Sequence, residues 1–309
     1  MRFRSVVLFV VLAAVWGSAF TAIKAGLEFF PPVLFAAFRF DVAGVLMFGY
    51  AVHVTDRWRP RTRDEWTVVA VGGSLIIAVY HALLFVGEQQ EGVTSAAAAI
   101  VVSLSPILTT GFARVFLPDE RLTTVGLVGL LVGFLGVGVL SDPTPANLVD
   151  ARTVSLSLVS LAVACFALGS VLTRRADDDL PIETMEAWSM VLGAALMHVA
   201  SVGIGESVAA VAVTAEAVVA LAYLAVVASS LGFLIYFTLL ERLGPIEINL
   251  VSYAAPVAAA ATGLVFLGET PTPYTVAGFL LVLVGFGLIK RRELRSELSS
   301  LRDRAEETG

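Results

Sequence analysis

Cysteine is nearly missing from this chain. Cys165 is the only one among 309 residues, so no intrachain disulfide forms and no cysteine pair can hold a metal. Histidine is almost as scarce. His53, His81 and His198 are scattered, and neither a nucleophile with a nearby base nor a set of clustered metal ligands stands around them. No GxxxxGK[ST] run is present, so there is no loop to cradle ATP phosphates, and neither a cofactor nor a metal is expected. Charge is thin as well: 15% of residues, against about a quarter in soluble chains. With a net charge of -6, no nucleic-acid partner is expected either.

Apolar sequence fills the space that charge leaves. Hydrophobic residues make up 58% of the chain and the mean hydropathy is +0.88, which is integral membrane composition. Crossing the hydrocarbon layer takes about 20 apolar residues per helix. Ten runs qualify, at 5-27, 33-54, 66-86, 94-116, 123-140, 154-173, 184-204, 216-240, 246-267 and 273-290. They are apolar all round rather than alternating with a period of two, so they read as helices and not as strands of a barrel. The first run has the basic start and apolar middle of a signal peptide; with nine more spans behind it, it reads as a retained anchor.

The chain also repeats itself. Shifted by 150 residues, Trp16 meets Phe166, Lys24 meets Arg174, Pro31 meets Pro181, Met47 meets Met197 and Pro106 meets Pro256. The register then slips by one, and Glu120 meets Glu269, Gly129 meets Gly278, Gly136 meets Gly285 and Gly138 meets Gly287. Two prolines, a basic pair, an acidic pair and three glycines holding one frame mark a duplication. Each copy holds five spans, an odd number, so one copy sits upside down relative to the other. The expected fold class is thus an all-α integral membrane protein, with ten transmembrane helices in two inverted five-helix repeats at 1-145 and 146-291. A charged cytoplasmic tail follows at 292-309, and the stretch from Ser141 to Arg152 is the outer linker.

Basic residues near span ends give the orientation. Seventeen of the 20 Lys and Arg fall on one side, from Arg2 and Arg4 through Arg57, Arg59, Arg61 and Arg63 to the cluster after Lys290. Only Lys24 and Arg152 fall on the other, and Arg39 lies inside the second span. Both termini are therefore expected in the cytoplasm, in a multi-pass protein of the cell membrane.

Ionisable and polar side chains within the spans are the default functional candidates. Arg39 lies about 9 Å into its span at a rise of 1.5 Å per residue, and its planar donors suit a carboxylate or phosphate. The competing reading is an arginine that snorkels to the interface or is pinned by an acid such as Glu88. Asp41, two residues on, cannot share that helical face and is expected to pair elsewhere or hold a proton. On the third span Tyr80, His81, Leu84 and Glu88 fall along one face. That face joins an aromatic wall to an imidazole that titrates near neutrality and to a carboxylate, and it suits cargo recognition or proton coupling; the bland alternative is a histidine bonded to a neighbouring helix. Ser103, Pro106 and Thr110 align on the fourth span, as do Asn249, Tyr253 and Pro256 on the ninth. Pro106 and Pro256 each free a carbonyl and mark expected bends. Trp16, Trp188 and Tyr236 are aromatic candidates for the same path. Gly129 and Gly133 form a GxxxG pair that serves packing within one chain or a dimer seam.

Four passages carry a family resemblance. They are Trp16-Gly17-Ser18-Ala19-Phe20 with Pro31-Pro32 and Phe38-Arg39-Phe40; Ser103-Leu104-Ser105-Pro106 with Pro118-Asp119-Glu120-Arg121; Glu241-Arg242-Leu243-Gly244-Pro245; and Tyr253-Ala254-Ala255-Pro256 through Leu267-Gly268-Glu269. In these the chain resembles the drug/metabolite transporter superfamily, specifically its ten-span EamA-type group. The resemblance implies a secondary transporter for a small organic metabolite or drug-like solute, often an exporter. It also implies a central path enclosed by the first four helices of each half. Two departures stand out: Pro118-Asp119-Glu120-Arg121 replaces the common Leu-Gly-Glu-Arg, and Ser189 occupies the position that repeats Arg39, so any site is asymmetric. The bilayer, a small-molecule substrate, a proton or counter-substrate and an oligomeric mate are the partners this reading admits. A membrane-embedded enzyme and a non-transporting sensor subunit are the alternatives; the first lacks a catalytic constellation and the second a large extramembrane region.

Overall fold

The computed structural model describes residues 2-90, 92-116, 124-140, 150-175, 179-243, 248, 251-289 and 291. Asn249, the turn at 117-123, the linker at 141-149 and the tail from 292 onward lie outside this set. Every regular element among the described residues is helical. In the first half these are α1 (Arg2–Gly26), α2 (Pro32–Val54), α3 (Arg63–Glu88), α4 (Ser95–Val102), α5 (Ser105–Phe116) and α6 (Thr124–Leu140). The second half holds α7 (Ala151–Arg175), α8 (Ile182–Gly203), α9, α10 (Val251–Leu267) and α11 (Pro273–Ile289), where α9 runs end to end through Ala215–Ala222, Tyr223–Leu231 and Gly232–Leu243. Against ten expected spans, seven stretches are long and apolar enough to cross a membrane, with α4 and α5 counted together as Ser95–Phe116. The other three, α6, α10 and α11, each hold 17 residues, short of the usual 20; each borders residues outside the described set.

Local chemistry explains the ends. Pro31 and Pro32 open α2, with Pro31 at φ -59, and proline suits a first turn where its missing N–H costs nothing. The second orphan requirement is met from the far half. Glu206 accepts from the backbone N–H of Val33 at 3.0 Å and of Leu34 at 2.8 Å, placing a carboxylate on the positive end of α2. Thr62 and Glu65 form a reciprocal capping box at the start of α3. Thr94 and Thr214 cap α4 and α9 in the simpler way.

Repeat mates pack against each other. Along α2 and α8, Asp41 sits beside His198 and Thr55 beside Thr184, so the two helices run antiparallel. The same holds for α6 and α11. A Cβ on Gly136 would meet the carbonyl of Gly278 at 2.8 Å, and one on Gly285 would meet the carbonyl of Gly129 at 2.6 Å. Those two contacts are images of one another under the repeat, and they place the GxxxG glycines in a seam within one chain. The remaining partners are exchanged: α1 packs on α10, and α7 on α4 and α5. Gly285→Ala is therefore expected to destabilise by about 1–3 kcal/mol through overpacking against backbone. Gly138→Ala, which would meet nothing within 4 Å, should leave the melting temperature of detergent-purified protein unchanged. Equal melting of the two variants would refute the seam.

Two helices carry π-helical stretches, and these too are repeat mates: Gly72–Val79 in α3 and Tyr223–Leu231 in α9. In the second, the Ser230 hydroxyl donates to the carbonyl of Ala225, five residues back, at 2.9 Å. Such widened turns recur at functional sites because they leave backbone groups and side chains out of ordinary register.

Candidate functional site

Arg39 is buried in α2, with 7% of its surface exposed. Its Nε donates to Ser229 Oγ at 2.9 Å, on the π stretch of α9, and its guanidinium carbon lies 5.2 Å from the ring centre of Phe40. Among the described residues the two terminal amino groups have no protein partner. Tyr80 and Glu88 on α3 are near enough for their charges to act on it, but no salt bridge closes. Glu88 itself is fully buried, and neither carboxylate oxygen has a hydrogen-bond partner among the described residues. Lys24 and Glu269 are its other charged neighbours. The Lys24 ammonium donates to the backbone carbonyl of Glu88 at 2.8 Å.

An aromatic wall joins the two charges. His81 packs against Phe40 at 4.4 Å and Tyr80 at 4.6 Å between ring centres, and Tyr80 meets Phe166 at 5.2 Å. The His81 Nδ1–H donates to the carbonyl of Ile77 at 2.9 Å. The imidazole thus bonds its own helix rather than a neighbour, leaving Nε2 as its other polar atom. Arg39, Tyr80, His81 and Glu88, singled out from sequence, are brought together here.

A second aromatic group lies along α1. Trp16 Nε1 donates to the carbonyl of Ala228 at 3.2 Å and its ring packs on Tyr236 at 5.5 Å and Phe233 at 6.0 Å. Trp16 and Phe166 are repeat mates, so each aromatic group holds one member of a duplicated pair. Each half also presses the same position of its second helix onto the other half's π-bearing helix: Arg39 onto α9, and Ser189 onto α3, where its hydroxyl reaches the carbonyl of Val69 at 3.4 Å.

Other sequence candidates stand apart. Trp188 Nε1 donates to the carbonyl of Trp58 at 2.9 Å and its ring packs on Phe48 and Trp66, away from the Arg39 group. Tyr253 is buried against Phe286 of α11 at 4.3 Å, its hydroxyl without a partner among the described residues. Ser103 turns its hydroxyl back to the carbonyl of Ile100 at 2.6 Å. Pro106 follows the break between α4 and α5 directly, whereas α10 continues through Pro256. Asp41 pairs with His198 at 2.7 Å. Two participants had no place in the sequence reading. Ser229 is one of them. The other is Glu186 on α8, which lies in the neighbourhood of Tyr236; an acid this near the start of a span reads as a loop residue.

Seven helices long and apolar enough to cross a membrane, packed around a buried arginine and a buried carboxyl group, are what a multi-pass membrane transporter presents. The model of the EamA-like transporter family matches the chain twice, over residues 4–142 and 153–291, and the chain belongs to that family. It is 31% identical over 277 residues to an uncharacterized transporter of Archaeoglobus fulgidus, covering 90% of this chain and 95% of the relative. It is 30% identical over 304 residues to a probable terminal-alkyne amino-acid exporter of Streptantibioticus cattleyicolor, covering 95% and 96%. A solved crystal structure with 22% identity matches the fold at a TM-score of 0.66, covering 96% of this chain and all of that one.

Proposed function

We propose that the protein is a secondary exporter of small amino-acid-like metabolites, working by alternating access. Its ten spans form two inverted repeats, at 1-145 and 146-291, with both termini in the cytoplasm. The antiparallel packing of repeat mates and the one-sided basic residues support that topology. Arg39 takes the carboxylate of the cargo through its terminal amino groups, and Glu88 takes the ammonium. The observation that carries the reading is that a buried arginine and a buried carboxyl group lie on the packed helices α2 and α3, the arginine bonded through Nε alone and the carboxyl with neither oxygen bonded among the described residues. Buried charges left this way cost several kcal/mol each, and a zwitterion that spans them offsets the cost for both. The name of the Streptantibioticus relative points to the same cargo class.

Tyr80, His81 and Trp16 line the path, with Ser103, Tyr236, Asn249 and Tyr253 coming into supporting contact as the halves rock, and Pro106 and Pro256 act as hinges. When cargo leaves, a proton replaces its ammonium on Glu88, which couples export to the proton gradient. Flux from proteoliposomes loaded with a panel of amino acids, their amides and their N-acetyl derivatives tests the reading. Saturable flux of the free amino acids, with loss for both derivatives, is the expected outcome. Equal flux of all three would sink the zwitterion site.

A further inference from the structure

Two cavities adjoin at the basic end of α3 and share Trp66. One, of about 500 Å³, is a groove along a single stripe of the helix, lined by Arg63, Trp66, Thr67, Ala70, Val71 and Ser74. From Arg63 to Ser74 this stripe is about 16 Å long at 1.5 Å per residue, and it runs from the loop into the membrane span. Its few polar groups are already satisfied: the Thr67 hydroxyl donates to the carbonyl of Arg63 at 2.8 Å, and that of Ser74 to the carbonyl of Ala70 at 2.6 Å. The groove therefore presents an apolar surface. The other cavity, of about 470 Å³, is a bowl lined by the loop from Asp56 to Arg61.

The arginines around the bowl are unequally engaged. Arg57 is bonded to Glu65 and to the carbonyl of Asp179. The side chains of Arg59, Arg61 and Arg63 are exposed and have no partner among the described residues; Asp56 and Asp64 lie beside them in the chain, and Asp179 lies against Arg57 on the other side. Trp66, 40% exposed, stands at the junction with its ring held edge-on by Trp188 at 5.2 Å. An indole at that boundary is suited to the headgroup level of a bilayer.

We propose that an anionic phospholipid of the basic-side leaflet docks here, its phosphate among Arg59, Arg61 and Arg63 and one acyl chain along the groove of α3. A polar bowl opening into an apolar channel has the two-part character of a lipid, and a free anion would leave the groove empty. The site is separate from the Arg39 group and does not depend on the cargo assigned to it.

Native mass spectrometry of the full chain in neutral detergent, titrated with phosphatidylglycerol or phosphatidylcholine, tests the proposal. Wild type should retain phosphatidylglycerol in preference to phosphatidylcholine, with inorganic phosphate failing to displace it. Each of Arg59→Gln, Arg61→Gln and Arg63→Gln should weaken retention about fivefold, the equivalent of about 1 kcal/mol per basic residue. Ala70→Trp, which fills the groove and leaves the arginines in place, should weaken retention as well. These side chains are exposed, and an unchanged melting temperature confirms folding. Equal retention of the two lipids would overturn the proposal, as would displacement by phosphate or indifference to Ala70→Trp.

Discussion

Arg39→Ala should raise the half-saturating concentration for carboxylate-bearing cargo roughly thirtyfold or more, because losing one member of a buried charge-assisted contact costs about 2–5 kcal/mol. The effect is large because the guanidinium is desolvated and its terminal amino groups are not spent on protein partners. Arg39→Lys should recover only part of the affinity, since a point charge cannot reproduce the planar fork. The duplication supplies an internal control. Ser189→Ala alters the repeat-mate position, whose single long contact to Val69 leaves little to lose, and transport should be near wild type. Truncation also removes the Ser229 bond and leaves a buried void, so Arg39→Ala is expected to melt somewhat earlier than wild type, while its flux falls by far more than the lost stability accounts for. Flux and melting measured on one preparation separate a lost site from a lost fold. Unchanged affinity and rate for every carboxylate tested would remove Arg39 from the site.

Much of the architecture is legible in the sequence because membrane helices advertise themselves by length and polarity alone. The duplication is legible for a related reason. Glycines at 136, 278 and 285 cannot gain a Cβ without striking the backbone of the facing helix, so they hold a common frame across the halves. The π stretches in α3 and α9 leave no comparable mark: eight or nine apolar residues read the same whether the turn closes on the fourth or the fifth carbonyl.

The site is less legible than the fold. Tyr80, Leu84 and Glu88 follow an ordinary helical period, so their shared face can be read directly, and Arg39 stands out as a charge in an apolar run. What joins them is tertiary. Ser229 meets Arg39 across 190 positions of sequence, and one hydroxyl among many carries no signal of its own. Trp188 and Glu186 are two residues apart and so project from different faces of α8. Sequence favours the tryptophan for its size, yet it is the acid that lies in the neighbourhood of Tyr236, while the tryptophan packs beside the basic loop.

The second large effect is expected at Glu88. Glu88→Gln keeps the shape of the side chain and removes its ability to exchange a proton for a cation. If cargo and proton compete for this carboxylate, the variant should lose flux driven by a pH gradient, and raising the gradient should no longer change its rate. Binding of the cargo ammonium should weaken at the same time, because an amide offers half the acceptor oxygens and no charge. The groups that face the site stay in place: Lys24 from α1, Arg39 from α2, His81 within α3 and Glu269, which caps the N-terminus of α4 by accepting from Ser95 N–H at 2.9 Å. Lys24 is held by backbone carbonyls of Glu88 and Gln90, so its position does not depend on the carboxylate. Glu269→Gln is therefore the discriminating control. It removes a neighbouring charge and part of a helix cap without touching the exchange site, so it should shift the rate while preserving the response to the gradient. A Glu88→Gln protein that still accumulates cargo in proportion to the pH gradient would assign coupling to another group, and the imidazole of His81, whose Nδ1 bonds its own helix, would be the next to substitute.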